Sequence, residues 1–418
     1  MRYGLKGTLV VIGVAVWLLT SKVACGQVTN DKLRWVGSWA ASQQVPETQN
    51  SLDPQLLRDA TLRQIVHLSV GGDQLRVRVS NAFGTEPLHL TAVHVARPVS
   101  AAGAAIDAAS DTQVMFNGSS DVMIPAGAEY LSDAVAFPVA ALSSLAISIH
   151  FDRPPMGETG HPGSRATSYV APGDLVSAVS LPDAKTVEHW YQVSGVDVTS
   201  PVQAGAVVTL GDSITDGHGA TTNENDRWPD VLAARMQAEK STRMLGVLNE
   251  GIGGNRLLLD GLGPNALARF DRDVLAQAGV RAVIVLEGVN DLGTLTRDHD
   301  VSAEEHRALV RKIEGAYSQM IERAHAHGIR VMGATILPYS GSKYYHPGPE
   351  SEADRQAINA WIREVGHFDA VVDFDKLTRD PAHPDHLLPA YDSGDGLHPG
   401  PGGYKAMGEA IPLKELAR

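Results

Sequence analysis

The sequence contains little cysteine, few aromatic residues and no excess of positive charge. Its single cysteine, Cys25, precedes Gly26, so a chain cleaved after Gly26 would have neither a disulfide bond nor a thiol nucleophile. Lipidation of Cys25 is disfavoured because Lys22 stands where lipoprotein signals have an aliphatic residue. Aromatic residues make up 6% of the 418 residues, and the formal net charge is −13. This acidic balance argues against non-specific binding to nucleic acid or to anionic membrane surfaces.

The first 26 residues are typical of a secretory signal peptide. Arg2 and Lys6 form a positive n-region, and the apolar run Thr8–Leu19 is too short to span a bilayer comfortably. The small residues Ala24 and Gly26 occupy the −3 and −1 positions of a cleavage site. We therefore expect a secreted or periplasmic protein with no stable membrane association after cleavage. An uncleaved membrane anchor is the alternative.

The remaining chain divides into two regions of different pattern near residue 200. In residues 27–200 the apolar runs are short and alternating, which predicts an all-β accessory domain of the sandwich or jelly-roll type. The runs 62–70 and 74–80, joined by Gly71-Gly72-Asp73, predict a β-hairpin. Further strands are predicted at 88–95, 145–151 and 189–193.

Residues 201–418 alternate strands with helices, which predicts a three-layer α/β domain with a parallel sheet. The continuous apolar run 206–210 is typical of a strand that is buried on both faces. The other strands are predicted at 244–248, 282–286, 329–335 and 370–374. Helices are predicted at 228–238, from a capping box at 302–305 to about 327, and at 403–411.

Four segments are candidates for a functional site: three follow predicted strands, and the fourth precedes the last predicted helix. They are Gly211-Asp212-Ser213, Gly251-Ile252-Gly253-Gly254, Gly288-Val289-Asn290-Asp291 and Asp395-Gly396-Leu397-His398. In an open α/β sheet, reactive groups gather at the carboxyl ends of the strands. Each segment alone is weak evidence, because a serine in a turn is more often a cap or loop filler. Four such segments in order favour a common site.

Acyl transfer requires a nucleophile, a base held in one tautomer, and hydrogen-bond donors for the oxyanion. Ser213 is the candidate nucleophile, and His398 is the candidate base. Asp395, three residues before His398, can fold back onto the imidazole. The main-chain N–H groups of Ser213 and Gly254 and the side-chain amide of Asn290 are the candidate oxyanion donors.

These segments resemble the SGNH hydrolases, also called the GDSL esterase/lipase family. The resemblance implies a flavodoxin-like domain of five parallel strands, with Ser213 as nucleophile, His398 as base and Asp395 in support. It also implies oxyanion roles for Gly254, with Gly253 as the fallback, and for Asn290. The segments Trp35–Ser42, Ser80–Gly84 and Gly195–Val198 look like the N-terminal module of a two-domain bacterial branch. Members of that branch are described as arylesterases, acylhydrolases or carbohydrate esterases, some of them associated with xylan.

The expected activity is hydrolysis of carboxylic esters, particularly short-chain acetyl esters of small molecules or polysaccharides, without a metal or cofactor. A lipase, thioesterase or lysophospholipase of the same family is the alternative, and a non-catalytic carbohydrate-binding protein is another. Asp212, Arg227 and Trp228 are candidates for the substrate pocket, although packing is at least as good an interpretation of Arg227 and Trp228. Four further aromatic residues could stack on sugars or lie in the core: Trp35, Trp39, Trp190 and Tyr191.

Overall fold

The computed structural model describes residues 1–4, 33–299 and 301–417. Of the two units into which the chain divides, the features below belong to the second, Leu33–Arg418. Most of the predicted signal peptide, including Cys25, lies outside the described residues. Among the helices of the described part, none is both long and apolar enough to cross a membrane. The predicted domain boundary near residue 200 stays a prediction.

The N-terminal part of the second unit is rich in short strands. Their bounds are β1 (Leu33–Ala40), β2 (Ala60–Leu68), β3 (Gly72–Ser80), β4 (Leu88–Leu90), β5 (Ala92–Ala96), β6 (Thr112–Gln113), β7 (Val122–Ile124), β8 (Glu129–Leu131), β9 (Val135–Val139), β10 (Ser143–Phe151), β11 (Gly160–His161), β12 (Ser168–Pro172), β13 (Lys185–Val187), β14 (Trp190–Tyr191) and β15 (Val193–Pro201). Short 3₁₀ helices lie at Thr48–Asn50, Pro54–Leu57 and Ala108–Ser110.

Most of these strands belong to two antiparallel sheets. One has the order β1-β15-β3-β8, with β9 also paired to β3, and the other has the order β13-β12-β2-β10-β5-β6. Two small ribbons, β11-β14 and β4-β7, complete the strand-rich part. The expected sheet-rich N-terminal region is therefore present, whereas its jelly-roll topology stays a prediction.

The predicted hairpin between β2 and β3 is wrong, because the two strands lie in different sheets. Both edges of β2 are occupied by β10 and β12, and β3 is paired with β15 on one side and with β8 and β9 on the other. The glycines between them serve close packing rather than a hairpin turn. A Cβ atom on Gly71 would lie 2.6 Å from the carbonyl oxygen of Val139.

The C-terminal part builds a parallel five-stranded sheet with helices around it. Its strands are β16 (Gly205–Gly211), β17 (Leu245–Gly251), β18 (Val280–Leu286), β19 (Arg330–Ala334) and β20 (Ala370–Val372). Its helices are α1 (Ser213–Asp216), α2 (Trp228–Ala238), α3 (Ala266–Phe270), α4 (Val289–Thr296), α5 (Ala303–Ala326), α6 (Pro349–Arg363), α7 (Phe374–Thr378), α8 (Pro401–Ala410) and α9 (Leu413–Leu416), with a π-helical turn at Asp271–Leu275.

The strand order β17-β16-β18-β19-β20 places β16 between β17 and β18. Every residue of β16 is buried, as expected for a strand covered on both faces. Gly211, its last residue, is level with Gly251 of β17 and with Leu286 of β18. The loops after these three strands therefore start at one edge of the sheet, where the candidate residues were expected.

The N-terminal strands pack directly against this sheet. Gly37 of β1 donates a main-chain hydrogen bond to Ala278 (2.9 Å), and Val247 of β17 donates one to the Ser69 hydroxyl (2.9 Å). A parallel bridge between Ala41 and Asn249 extends this contact toward the carboxyl end of β17. The segment that follows β1 consequently reaches the edge of the parallel sheet where the site lies.

Candidate active site

Ser213 is the first residue of the short helix that follows β16. The preceding residue, Asp212, caps this helix, and its carboxylate accepts a hydrogen bond from the Ile214 N–H (2.9 Å). Ser213 is 7% exposed, so its hydroxyl is largely enclosed by protein. The strand-to-helix turn thus fixes the serine at the carboxyl edge of the sheet.

His398 and Asp395 reach the serine from the loop before α8. The Ser213 Oγ lies 2.8 Å from His398 Nε2, and His398 Nδ1 lies 2.6 Å from Asp395 Oδ2. The other oxygen of Asp395 accepts the main-chain N–H groups of Leu397 (2.9 Å) and His398 (2.8 Å). The structure therefore brings the predicted serine, histidine and aspartate into one hydrogen-bonded row.

The aspartate controls which nitrogen of the imidazole carries its proton. Burial alone would raise the pKa of Asp395, but hydrogen bonds from the side chain and main chain of His398, together with its charge, hold that pKa well below its usual range. An ionised carboxylate can only accept, so His398 Nδ1 donates to it. His398 Nε2 is then free to accept the proton of the Ser213 hydroxyl.

Gly254 and Asn290 line the cleft that contains Ser213 and His398. Gly254 has a φ of +73°, and a Cβ atom there would overlap the side chain of Leu262, so the turn requires glycine. Among the residues that the structure describes, no acceptor pairs with the Gly254 N–H. That N–H is consequently available to a substrate oxygen.

The orientation of the Asn290 amide follows from its neighbours. One amide atom lies 2.7 Å from the carbonyl oxygen of Asn255, which can only accept, so this atom is the NH₂ group. The amide oxygen accepts a hydrogen bond from the hydroxyl of Tyr345 (2.7 Å). Tyr345, which no pattern in the sequence singled out, therefore holds the Asn290 amide in one orientation.

The cleft around these groups has a volume of about 710 Å³. Its walls come from both parts of the chain. The N-terminal part contributes Gln44, Glu47, Asn50, Pro162, Gly163, Arg165, Glu188 and His189, and the C-terminal part contributes Asp216, His218, Gly253, Leu262, Ser342, Lys343, Tyr344 and Leu397 around the candidate catalytic residues. The cleft is thus formed jointly by the two parts.

The expectation that Asp212, Arg227 and Trp228 line this cleft needs correction. The Asp212 carboxylate faces the protein interior, where burial raises its pKa to about 7. The Arg227 guanidinium pairs with Asp230 at 2.6 Å, and Trp228 is completely buried in the hydrophobic core. All three side chains support the surrounding structure instead of contacting the cleft.

The comparison with protein families agrees with this geometry. Residues 209–406 match the model of the GDSL-like Lipase/Acylhydrolase family. This part of the chain is a GDSL-like lipase/acylhydrolase domain. The chain is accordingly an ester hydrolase. Ser213, Gly254, Asn290 and His398 all lie inside the GDSL-like domain, as does Asp395.

Solved structures similar to this chain align with about half of it. A GDSL-like lipase from Bacteroides thetaiotaomicron VPI-5482 is 21% identical and covers 51% of this chain and 87% of its own, with a TM-score of 0.36. An α/β hydrolase from the metagenome of Lake Arreo, Spain, is 22% identical and covers 51% and 97%, with a TM-score of 0.37. An acetyl xylan esterase is 18% identical and covers 49% and 96%, with a TM-score of 0.36. A search of curated proteins found no match.

His218 is a second residue of the GDSL-like domain that the sequence did not single out. Its ring centroid lies 4.1 Å from that of His398, and its Nδ1 accepts a hydrogen bond from Arg165 (3.3 Å). Partial burial, followed by the charges of His398 and Arg165, lowers the pKa of His218 to about 4. His218 is therefore neutral near pH 7, with its proton on Nε2.

One ligand atom from each of His218, Asp395 and His398 lies within 4.8 Å of the other two, which is close enough to hold a metal ion. The Nδ1 atom of each ring already has a hydrogen-bond partner, which is Arg165 for His218 and Asp395 for His398. A metal ion would have to compete with Ser213 for His398 Nε2. The arrangement fits proton transfer at Ser213 better than coordination.

Proposed function

We propose that the chain is a serine esterase that hydrolyses short-chain carboxylic esters through an acyl-serine intermediate. The hydrogen-bonded row from Ser213 through His398 to Asp395, open to the cleft, is the observation that carries this proposal. A serine hydroxyl is a weak nucleophile unless an adjacent base takes its proton. His398 is at hydrogen-bond distance for that task.

In the acylation step, His398 Nε2 removes the proton of Ser213 as its Oγ attacks the ester carbonyl carbon. Negative charge develops on the carbonyl oxygen, and we assign the main-chain N–H groups of Ser213 and Gly254 and the side-chain amide of Asn290, which line the cleft, as its hydrogen-bond donors. His398 then gives its proton to the departing alcohol. Asp395 stabilises the imidazolium that exists between these two transfers.

In the second step, water enters the vacated alcohol side of the cleft. His398 removes a proton from this water, which attacks the acyl carbon and releases the acid from Ser213. The same oxyanion donors act again, because the second tetrahedral intermediate places its oxygen at the same position. The same residues therefore serve in both steps.

We further propose that the substrates are acetyl esters on sugars or polysaccharides. The cleft is broad and its walls carry many polar side chains, as the alcohol part of such an ester requires. Tyr344, at its rim, is 58% exposed and is held by a hydrogen bond from Arg297 to its hydroxyl (2.9 Å). An exposed, fixed aromatic ring can pack against the apolar face of a sugar. Trp39, Trp190 and Tyr191, by contrast, are buried in the core.

We also propose export of the protein after cleavage following Gly26. The supporting evidence is the charge and apolar pattern of residues 1–26. Amino-terminal sequencing of the exported form should give Gln27 as the first residue. A start at Cys25 carrying lipid would contradict this proposal.

The reaction is tested with Ser213→Ala and chromogenic esters of increasing acyl length. The variant should lose nearly all turnover of the acetate ester while its thermal unfolding midpoint stays close to that of the wild type. Retained turnover would overturn the proposed reaction. Activity that rises toward long acyl chains would overturn the short-chain substrate and favour a lipase. Acetate release from acetylated xylan, pectin and simple sugars, measured side by side, then identifies the alcohol.

A further inference from the structure

Arg269 is an arginine buried beneath the site, on the short helix α3. Its side chain is completely inaccessible to solvent. A buried guanidinium has five N–H donors that all require acceptors. The acceptors of Arg269 therefore show which segments of the chain it connects. Those contacts lie at the ends of three neighbouring strands.

The first two contacts are with the main chain at the ends of β16 and β17. The Nη2 group donates to the carbonyl of Gly211 (2.9 Å), two residues before Ser213. The Nη1 group donates to the carbonyl of Glu250 (2.6 Å), at the end of β17. Arg269 therefore bridges the turn that presents the nucleophile and the strand that leads to Gly254.

The next contacts reach the loops that carry the oxyanion donors. Arg269 Nε donates to the side-chain oxygen of Asn255 (2.9 Å), the neighbour of Gly254, and the carbonyl of Asn255 accepts from the Asn290 amide (2.7 Å). Arg269 Nη2 also lies 3.4 Å from the carboxyl group of Glu287, which directly follows β18 and precedes Asn290 by three residues. One side chain thus contacts all three loops of the site.

The charge of this guanidinium is balanced inside the protein. Asp273 pairs with Arg269 Nη1 at 3.0 Å and with Arg272 Nε at 2.6 Å. The hydroxyl of Ser42 contacts Asp273 as well, and Arg272 donates to the carbonyl of Gln43 (2.9 Å). The segment after β1 is consequently tied to the same network.

From these contacts we infer that Arg269 is a positioning residue for ester hydrolysis. It sets the distance between Ser213 Oγ and the donors on Gly254 and Asn290, and it touches no substrate. The inference rests on the proposed function. Lysine cannot replace it, because an ammonium group is a point charge and cannot span acceptors that lie in three directions around a planar fork.

The test is Arg269→Lys, assayed with the chromogenic acetate ester. A misplacement of the oxyanion donors should lower kcat on the order of 10- to 100-fold, with KM changed by less than about three-fold. Arg63→Lys is the matched control, since Arg63 is equally buried and bonds to main-chain carbonyls of loops in the N-terminal part. It should lower the unfolding midpoint without lowering kcat.

If Arg269→Lys does not fold, Asn255→Ala supplies the second measurement, with Asn81→Ala as its control. Asn81 is likewise buried and donates to several carbonyls, but its partners, Glu86, Ile124 and Pro125, lie outside the Arg269 network. Asn255→Ala should lower kcat, and Asn81→Ala should not. Folded Arg269→Lys with unchanged kcat, or equal effects in test and control variants, would overturn the inference. Wild-type activity that does not depend on Ser213 would instead contradict the proposed function itself.

Discussion

Tyr345→Phe removes one hydroxyl and tests whether the orientation of the Asn290 amide matters for catalysis. In the structure this hydroxyl donates to the amide oxygen of Asn290 at 2.7 Å, and both residues are buried. The change keeps the aromatic ring, so the packing against Tyr344 should survive. The variant loses only the hydrogen bond that restrains the oxygen of the Asn290 amide.

The expected size of the effect follows from the hydrogen bonds. The amide keeps its contact with the Asn255 carbonyl (2.7 Å), so only part of its restraint disappears. A neutral hydrogen bond contributes a net free energy of about 0.5–1.5 kcal/mol. If this loss is expressed fully in the transition state, kcat should fall about two- to twelve-fold. Asn290→Ala, which removes the oxyanion donor itself, should cost on the order of 100-fold or more.

The assay is steady-state hydrolysis of a chromogenic acetate ester, with kcat and KM determined separately. KM should change little, because the amide acts on charge that develops in the transition state. Tyr191→Phe is the control, since among the described residues the buried Tyr191 hydroxyl has no hydrogen-bond partner. The reasoning fails if Tyr345→Phe leaves kcat unchanged while Asn290→Ala lowers it. It also fails if the two variants are equally impaired.

Three further predictions follow from single contacts. Asp395→Asn should lower kcat on the order of a thousand-fold, because the amide no longer fixes the proton on His398 Nδ1; a near-normal rate would contradict its role. Burial raises the pKa of Glu158 to about 7 in the folded protein. Between pH 4.5 and 7 the unfolded chain loses the Glu158 proton while the folded protein keeps it, so the stability of the fold falls as the pH rises through this range. Glu158→Gln should therefore increase the free energy of unfolding by about 1–2 kcal/mol at pH 8 and by nothing near pH 4, as denaturant titrations at both pH values would show. Gly254→Ala should lower kcat about ten-fold or more, since its φ of +73° costs a side chain about 1–2 kcal/mol, whereas Gly315→Ala, in open space on α5, should leave kcat unchanged.

The parts of the fold that depend on local signals were predicted well from the sequence. The helix 228–238 has the expected bounds, and the capping box at Ser302 and Glu305 forms as expected at the start of α5. The predicted strand 370–374 ends two residues early, at Val372, because Asp373 caps α7. Each of these features is decided by residues fewer than five positions apart, which is why the pattern is sufficient.

Strand pairing was not predictable in the same way. Residues 62–80 have the alternating pattern and the glycine-rich turn of a hairpin. The strands that actually pair with each other are, however, decided by contacts between segments far apart along the chain. Here β2 pairs with β10 and β12, whose positions no local pattern reveals. The same limit applies to the cleft, whose walls come from loops separated by more than 100 residues.

The supporting residues of the site were missed because their partners are mostly main-chain atoms. Arg269 has one weak signal in the sequence, a charge within the otherwise apolar run Ala266–Phe270. Tyr345 and His218 have none, since a tyrosine or histidine in a loop is ordinary. Residues that react are recognisable from their chemical type and spacing, whereas residues that hold them in place are recognisable only from contacts.

The contact between His161 and Asp216 explains why the N-terminal part belongs to the site and is more than an attached module. Asp216 is the last residue of α1, three positions after Ser213, and its buried carboxylate lies 2.9 Å from His161 Nε2. The other nitrogen of His161 is 2.8 Å from the carbonyl of Ser42, in the segment that also meets the Arg269 network. A buried carboxylate without a partner would be strongly destabilising, so the helix that begins at Ser213 depends on a side chain from the N-terminal sheets. The nucleophile is thus supported by Arg269 at the strand ends and by His161 through its contact with Asp216, and each support comes from a different part of the chain.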